Sequence, residues 1–392
     1  MIRRNRTRHK LTFVCLIIGV MIFYNEFLVY EIQSFKWSAR NCPDCVRILL
    51  VADPQILGEQ NENYPGAWFA RWDSDRFLEK TFSRALSHSQ PHVIAFLGDL
   101  MDEGHIAATE DFVKYKNRFD SIFYTEDHVM KIYLPGDNDI GGEEDIVSAR
   151  IHNRFKFAYS QPDTLIHKSV TFFKVNRLTR TMPNAPKDAF LNDYTERNTT
   201  NVVLSHMPLL FSPGPFVRNV MKELSPQVIF TAHDHKAMHL SLDTATDQLS
   251  DTWILPPRET PLYQLRLDMG DVHELQIPTC SYRMGTPNMG YGLAYIDTRD
   301  KAVEFTILWL PERFPKLIAY LCVGLVIVLL SACTFICSCC MSTHATYSPL
   351  PIVNNIDRTR IEYQRVLKPQ RYLSRTTRRS RRVDKKKIAI EV

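Results

Sequence analysis

Five short apolar runs in this chain each stop at an acidic residue or a histidine. Residues 47–52 stop at Asp53, 93–97 at Gly98-Asp99, and 131–134 at Pro135-Gly136-Asp137. Residues 201–205 stop at His206, and 228–231 at Ala232-His233. Near-continuous apolar runs of this length read as strands buried on both faces. Helix-like stretches, about 75–89 and 107–119, separate the first three. Such β-α-β units predict an α/β fold, whose functional crevice lies at the carboxyl ends of the strands. Beyond Thr231, residues 253–297 are rich in Pro and Gly and predict further strands joined by long loops.

If the strands are neighbours, Asp53, Asp99, Asp137, His206, His233 and His235 converge on one point. Three clustered carboxylates repel one another unless cations sit among them. Imidazoles beside carboxylates suit divalent transition metals. Six ligands exceed what one ion usually needs, so the set predicts two divalent metal ions. Taken singly, a strand-end Asp is a helix cap, a Gly-Asp pair is a turn and His233-Asp234-His235 is a surface stretch. Their shared placement makes the metal reading.

Two apolar segments frame these motifs. Residues 317–341 carry no charge and are long enough to cross a hydrocarbon core of about 30 Å as a helix. Residues 11–30 are apolar but include Asn25 and Glu26, which weaken the far end. No small-x-small site follows, so this segment reads as a signal anchor rather than a cleaved signal peptide. Residues 1–10 hold five basic side chains, and the tail after Met341 holds 13 Lys or Arg against four acidic residues. The positive-inside rule puts both ends in the cytosol and the domain at 31–315 on the lumenal or extracellular side. The expected organisation is a basic N-terminus 1–10, a transmembrane helix 11–30, the domain 31–315, a transmembrane helix 317–341 and a basic tail 342–392.

The whole-chain charge of +5 hides an acidic middle, which argues against nucleic acid as a partner. The tail fits anionic lipid headgroups, or simply solvent. Cys42-Pro-Asp-Cys45 has the spacing of a zinc half-site, a redox pair or a tight disulfide; with no second pair, zinc is disfavoured. A disulfide would leave Cys280 free. Cys337, Cys339 and Cys340 border the cytosol and are candidates for palmitoylation. Asn198-Thr199-Thr200 is a glycosylation sequon on the domain side.

The motif order resembles the calcineurin-like metallophosphoesterases. It runs Asp53-Pro54-Gln55, then Gly98-Asp99-Leu100-Met101-Asp102-Glu103-Gly104, then Gly136-Asp137-Asn138-Asp139. A lone His206 and Ala232-His233-Asp234-His235 complete it. With the two apolar segments, these runs look like the branch that remodels GPI anchors. The resemblance implies a four-layer α/β/β/α sandwich flanked by two transmembrane helices. It implies that Asp99 bridges two ions, that Asp53 and His235 hold the first with Gln55 where a His is usual, and that Asp137, His206 and His233 hold the second. Asn138 stands where a catalytic His is usual and Asp102 where that histidine's partner sits. An Asn cannot be a general acid, which makes His105 a candidate substitute; its other reading is a plain loop histidine.

The implied activity is a phosphodiesterase using Mn²⁺, with Fe²⁺ or Zn²⁺ as alternatives. It would remove ethanolamine phosphate from a mannose of a lipid-linked GPI glycan, in the endoplasmic reticulum, its exit sites or the Golgi. The alternatives are a phosphoesterase for another lipid or a nucleotide, and a weak pseudoenzyme that scaffolds cargo. Aromatic stretches at 64–72 and 281–284 are candidate cleft walls, with Arg71 and Arg283 as candidate phosphate contacts.

Overall fold

The computed structural model describes residues 2–143, 145–183 and 199–344, with side chains placed for 12–143, 145–183 and 199–337. The sequon asparagine Asn198, the basic tail beyond 344 and the side chains of Cys339 and Cys340 lie outside the described residues. Residues 1–326 form one compact unit; the described part of the second unit, which begins at Ile327, is helical.

The chain begins with helix α1 (Ile2–Phe23), a π turn (Tyr24–Leu28) and α2 (Val29–Ser34). Then come β1 (Val46–Val51), α3 (Ala67–Ser89), β2 (Val93–Phe96), α4 (Thr109–Ile122) and β3 (Met130–Tyr133). Next are α5 (Asp137–Ile140), α6 (Ala149–Ala158), β4 (Thr164–His167), β5 (Val170–Val175), β6 (Thr200–Ser205), α7 (Pro215–Leu224) and β7 (Val228–Thr231). The rest of the domain is β8 (Met238–Asp243), β9 (Gln248–Ile254), β10 (Tyr263–Arg266), β11 (Asp271–Gln276), β12 (Gly290–Asp297) and β13 (Ala302–Trp309). Helix α8 (Phe314–His344) follows.

These strands form two mixed sheets. One runs β10-β13-β12-β1-β2-β3, the other β4-β5-β6-β7-β11-β8-β9. Alternation along β1 shows how they pack. Val46, Ile48 and Leu50 join Phe172, Val202, Leu204 and Phe230 of the second sheet in one apolar core. Leu49 and Val51 point the other way, into a core with Phe77, Phe82, Tyr115 and Phe119 of α3 and α4. A third core packs Val217 and Val220 of α7 on Val203 and Ile229. Strands buried on both faces need uninterrupted apolar sequence, which is why their ends are sharp.

The first apolar segment ends later than the sequence suggests. Among the described residues, two helices are long and apolar enough to cross a membrane, Thr12–Ser34 and Phe314–Cys337. Glu26 does not break the first because its charge is met. Arg313 Nη1 donates to Glu26 Oε1 at 2.8 Å, and Lys80 and Arg76 pair with Oε2. Arg313 also donates to Asp73 through Nε at 3.1 Å and through Nη2, while the Tyr282 hydroxyl donates to Asp73 at 2.9 Å. Both Arg313 and Asp73 are buried. Of the readings open for Cys42 and Cys45, the structure has the disulfide, and Cys280 is a buried free thiol.

Removing one partner of a buried ion pair leaves the other uncompensated. Asp73→Ala should therefore destabilise the domain by about 3–5 kcal/mol, against about 1 kcal/mol for Tyr282→Phe, which removes a single hydrogen bond. Denaturant unfolding of the full chain in detergent micelles would check the order and the sizes.

Candidate metal centre

The strand-end residues sit on backbone that few side chains adopt. Asp53 (φ 47°), Gln55 (φ 39°), Asp99 (φ 51°), His233 (φ 73°) and His235 (φ 56°) are all left-handed. Non-glycine residues enter that region rarely, and where they cluster the site is usually functional. The turns also approach closely. A Cβ on Gly98 would lie 2.6 Å from His206 Nδ1, and one on Gly136 would lie 2.1 Å from Asp99 Oδ1. Only glycine lets the loops after β2 and β3 and the end of β6 meet.

Asp139 ties two of these loops together. Its carboxylate is fully buried and accepts backbone N–H bonds from Leu100 (3.0 Å), Met101 (3.1 Å) and Gly136 (2.9 Å). Burial, with Asp99 nearby, pushes its carboxyl up to about 7. Glu103 accepts from the backbone of Glu59, Gln60 and Asn61 (3.0, 2.9 and 2.5 Å), which fixes the segment after Gln55. Glu274 of β11 accepts from Leu209 (3.0 Å), Leu210 (2.5 Å) and the Thr231 hydroxyl (2.8 Å), holding the loop after His206.

The functional side chains then meet. Asp137 Oδ1 lies 2.9 Å from His206 Nε2 and 3.1 Å from His233 Nδ1. His206 Nε2 is 3.6 Å from Asp99 Oδ1, and its Nδ1 is 3.7 Å from Asp53 Oδ1. Nδ1–H of His206 donates to the Leu97 carbonyl at 2.9 Å, which leaves Nε2 to face the cluster. Ligand atoms of Asp137, His206 and His233, and of Asp53, Asp99 and His206, each lie within 4.8 Å of one another. His206 thus stands in both groups. His235 is in neither, but it lines the same hollow of about 400 Å³, with Gln55, Asp99, Asp137, Asn138 and His233.

Gln55 Nε2 and Asn138 Nδ2 both donate to Asp99 Oδ2, each at 2.8 Å, and Asn138 N–H donates to Oδ1 at 2.9 Å. In this arrangement Gln55 steadies a carboxylate with its N–H; its amide oxygen is the donor it could offer an ion. His105 lines the hollow, its Nδ1 3.0 Å from the Asn138 carbonyl and its Nε2 3.6 Å from Asp145. Asp102 is half-buried beside the hollow rather than lining it, and burial, reinforced by Glu103 and Glu62, pushes it up to about 6. Neither arginine named as a candidate phosphate contact lines the hollow. Arg283 pairs with Glu62 at 2.8 Å, and Arg71 donates to the Glu62 carbonyl at 3.4 Å.

The donor set fits divalent cations. Burial pushes Asp53 up to about 8, outweighing the pull of His206. Burial alone would lower His206, but Asp99, Asp137 and Asp53 push it up to about 10. Asp137 goes the opposite way, its carboxylate held below the usual range by His206 and His233 against the effect of burial. Burial holds His235 neutral, at about 4. Such a cluster draws in positive charge, as protons or as metal. Sequence reasoning passed over Asp139 and Glu274, whose contacts span dozens of residues. Glu143 was also passed over; it lines the hollow 3.7 Å from His233 Nε2. The acidic run after Gly142 was the available signal for it.

A family model described as calcineurin-like phosphoesterase matches residues 46–237. Metallophosphoesterase 1 of Cricetulus griseus is 31% identical over 176 residues, covering 43% of this chain and 43% of that protein. Cell division control protein 1 of Saccharomyces cerevisiae is 24% identical over 270 residues, covering 57% of this chain and 55% of that protein. The chain thus spans about half the length of the curated relatives it matches. A solved metallophosphoesterase from Sphaerobacter thermophilus aligns with 67% of this chain and 88% of its own at 11% identity, with a TM-score of 0.32.

Metal must displace the protons that Asp53 and His206 hold at neutral pH. Adding Mn²⁺ to the metal-free chain should release protons, and affinity should rise as pH goes from about 6 to about 8. Gln55→Ala, which removes one of the two amide donors on Asp99 Oδ2, should weaken binding about 10–100-fold. Calorimetry in buffers of different ionisation enthalpy reads both.

Proposed function

The chain carries a calcineurin-like phosphoesterase domain at residues 46–237, and from that premise we propose that it is a membrane-anchored, two-metal phosphodiesterase acting on a lipid-linked phosphoester. The observation that carries this reading is Asp137, whose one carboxylate oxygen is shared by His206 and His233 beside buried Asp53 and Asp99. Two divalent cations held there would supply charge for the phosphoryl oxygens and acidify a water molecule. Asp137, His206 and His233 are assigned to one ion, Asp53 and His235 to the other, and Asp99 to both. Mn²⁺ is the proposed metal.

The chain's own residues set the rest of the reaction. Asn138 and Gln55 hold Asp99 in place with their amides. Neither can transfer a proton. Among the described residues, His105 is the only imidazole lining the hollow apart from the two assigned to metal. Its ring is oriented by the Asn138 carbonyl, which suits it to protonate a leaving alkoxide. Burial and the carboxylates beside it, Glu103 and Glu62, raise Asp102 to about 6, which leaves it mostly ionised at neutral pH.

The four-layer sandwich is supported by three apolar cores, one between the two sheets and one outside each. The membrane anchoring is supported by the helices at Thr12–Ser34 and Phe314–Cys337. On the proposed topology the ends face the cytosol and the domain faces the lumen of the endoplasmic reticulum or Golgi. The motif order and the relatives fit the GPI-remodelling branch, so the proposed substrate is an ethanolamine phosphate on a mannose of the GPI glycan. One observation favours a second reading, a scaffold of low activity: Gln55 and Asn138 replace histidines and both spend their donors on Asp99.

Metal content and turnover of an aryl phosphodiester by the full chain in micelles decide between the two. The enzyme reading expects bound divalent metal and a loss of at least about 100-fold on Asp99→Asn; a metal-free, inert chain would leave the scaffold. His105→Ala should slow an alkyl phosphodiester by about 100-fold and leave an aryl one, with its better leaving group, nearly unchanged. Equal losses on both esters would remove His105 as the acid.

A further inference from the structure

The start of α3 carries an aromatic cluster that none of the described residues covers. Trp68 is 69% exposed and Trp72 51%, with Tyr64 and Phe69 also exposed. Phe69 packs against both tryptophans, at 6.0 and 5.5 Å between ring centroids. None of the four lines the metal hollow, so these residues are not walls of that cleft.

Their place along the chain's axis says what they meet. Helix α3 runs parallel to the end of the first apolar helix. Arg84 pairs with Glu31, Lys80 lies over Phe27 and Tyr30, and Arg76 pairs with Glu26. Going back along α3 is therefore going back towards the apolar residues of α1. Glu26 also pairs with Arg313, and the uncharged run of α8 begins one turn later, at Leu317. The two helices thus change from charged to apolar surroundings within about one turn of one level. Trp72 and Trp68 lie four and eight residues N-terminal of Arg76, about 6 and 12 Å beyond that level at 1.5 Å per residue. Arg76 lies over the Trp72 ring, 5.3 Å from its centroid, with its charge turned back to Glu26.

We propose that the N-terminal end of α3, with Tyr64 just before it, is a membrane-interface wedge, the Tyr64, Trp68, Phe69 and Trp72 side chains lodged among the phospholipid headgroups and upper acyl chains on the domain side. This rests on the membrane reading above and goes beyond it. Tryptophan and tyrosine favour that layer because an apolar ring and a polar edge both find partners there. Interfacial helices bury their apolar faces to about the depth derived for these tryptophans. The wedge is also joined to the site. The segment that feeds α3 is held by Glu103, through the N–H groups of Glu59, Gln60 and Asn61, and Glu103 follows Asp102 in the metal-bearing loop. The wedge therefore fixes the height of the hollow above the bilayer.

The full chain, reconstituted in vesicles of phosphatidylcholine brominated near the carboxyl end of the acyl chain, tests this. Bromine quenches tryptophan on contact, and Trp68 and Trp72 are two of five tryptophans. The wild-type emission should be quenched relative to unbrominated vesicles, and W68F/W72F should lose more than about half of the quenchable fraction. A chain that floats with the vesicles but keeps the same quenchable fraction after W68F/W72F, or shows none before it, overturns the wedge and leaves the anchoring intact. A chain that does not float overturns both. Unquenched tryptophans that become protected when a soluble protein is added would assign the cluster to a protein partner instead, which also overturns the proposal.

Discussion

The structure turns on a largely buried cluster of carboxylates at the edge where the two sheets meet. Asp53, Asp99 and Asp137 cannot share that space as three free carboxylates, because burial withdraws the water that would separate their charges. His206 makes the cluster tenable. It lies beside all three: Nε2 faces Asp99 and Asp137, and Nδ1, which donates to the Leu97 carbonyl, is 3.7 Å from Asp53. Everything built around the cluster serves to hold it: glycine turns that permit the approach, Asp139 bridging two loops, and Glu274 fixing the loop behind His206. The chemistry the site can support follows from that electrostatic need for cations rather than from any single residue.

Much of this was legible in the sequence for a simple reason. A strand sealed on both faces admits no polar residue, so its end is marked by the first one. Asp53, Asp99, Asp137, His206 and His233 were visible as those first polar residues. The residues that hold them were not. Asp139 binds Leu100 and Met101 from 39 and 38 residues away, and Glu274 binds Leu209 from 65 away. A buried carboxylate that caps backbone N–H groups has no periodicity to betray it. The second sheet was only half visible for a related reason. β9 is solvent-facing along nearly its whole length and carries no apolar signature.

Glu26 shows the opposite failure. In sequence it is an acid inside an apolar run and reads as a flaw. In the structure it is the anchor point of Arg313, Arg76 and Lys80, drawn from two other parts of the chain. A charge that looks misplaced locally is satisfied by partners that only the fold supplies, and the same helix can then run on to Ser34. The aromatic residues at the start of α3 were misread in the same way. As sequence they suggest a cleft lining; as structure they are an uncovered surface beside the apolar helix.

Five residues of the metal cluster hold left-handed backbone, and each such residue costs about 1–2 kcal/mol relative to an ordinary conformation. The hollow is therefore assembled against local preference, and the sheets supply the stability that offsets it. A chain selected for thermal robustness alone would relax these turns first, with glycine or asparagine in place of the ligands. The most robust variants of this fold should for that reason be the ones least able to bind metal, and the native site marks a compromise in which rigidity elsewhere sustains tension at one edge.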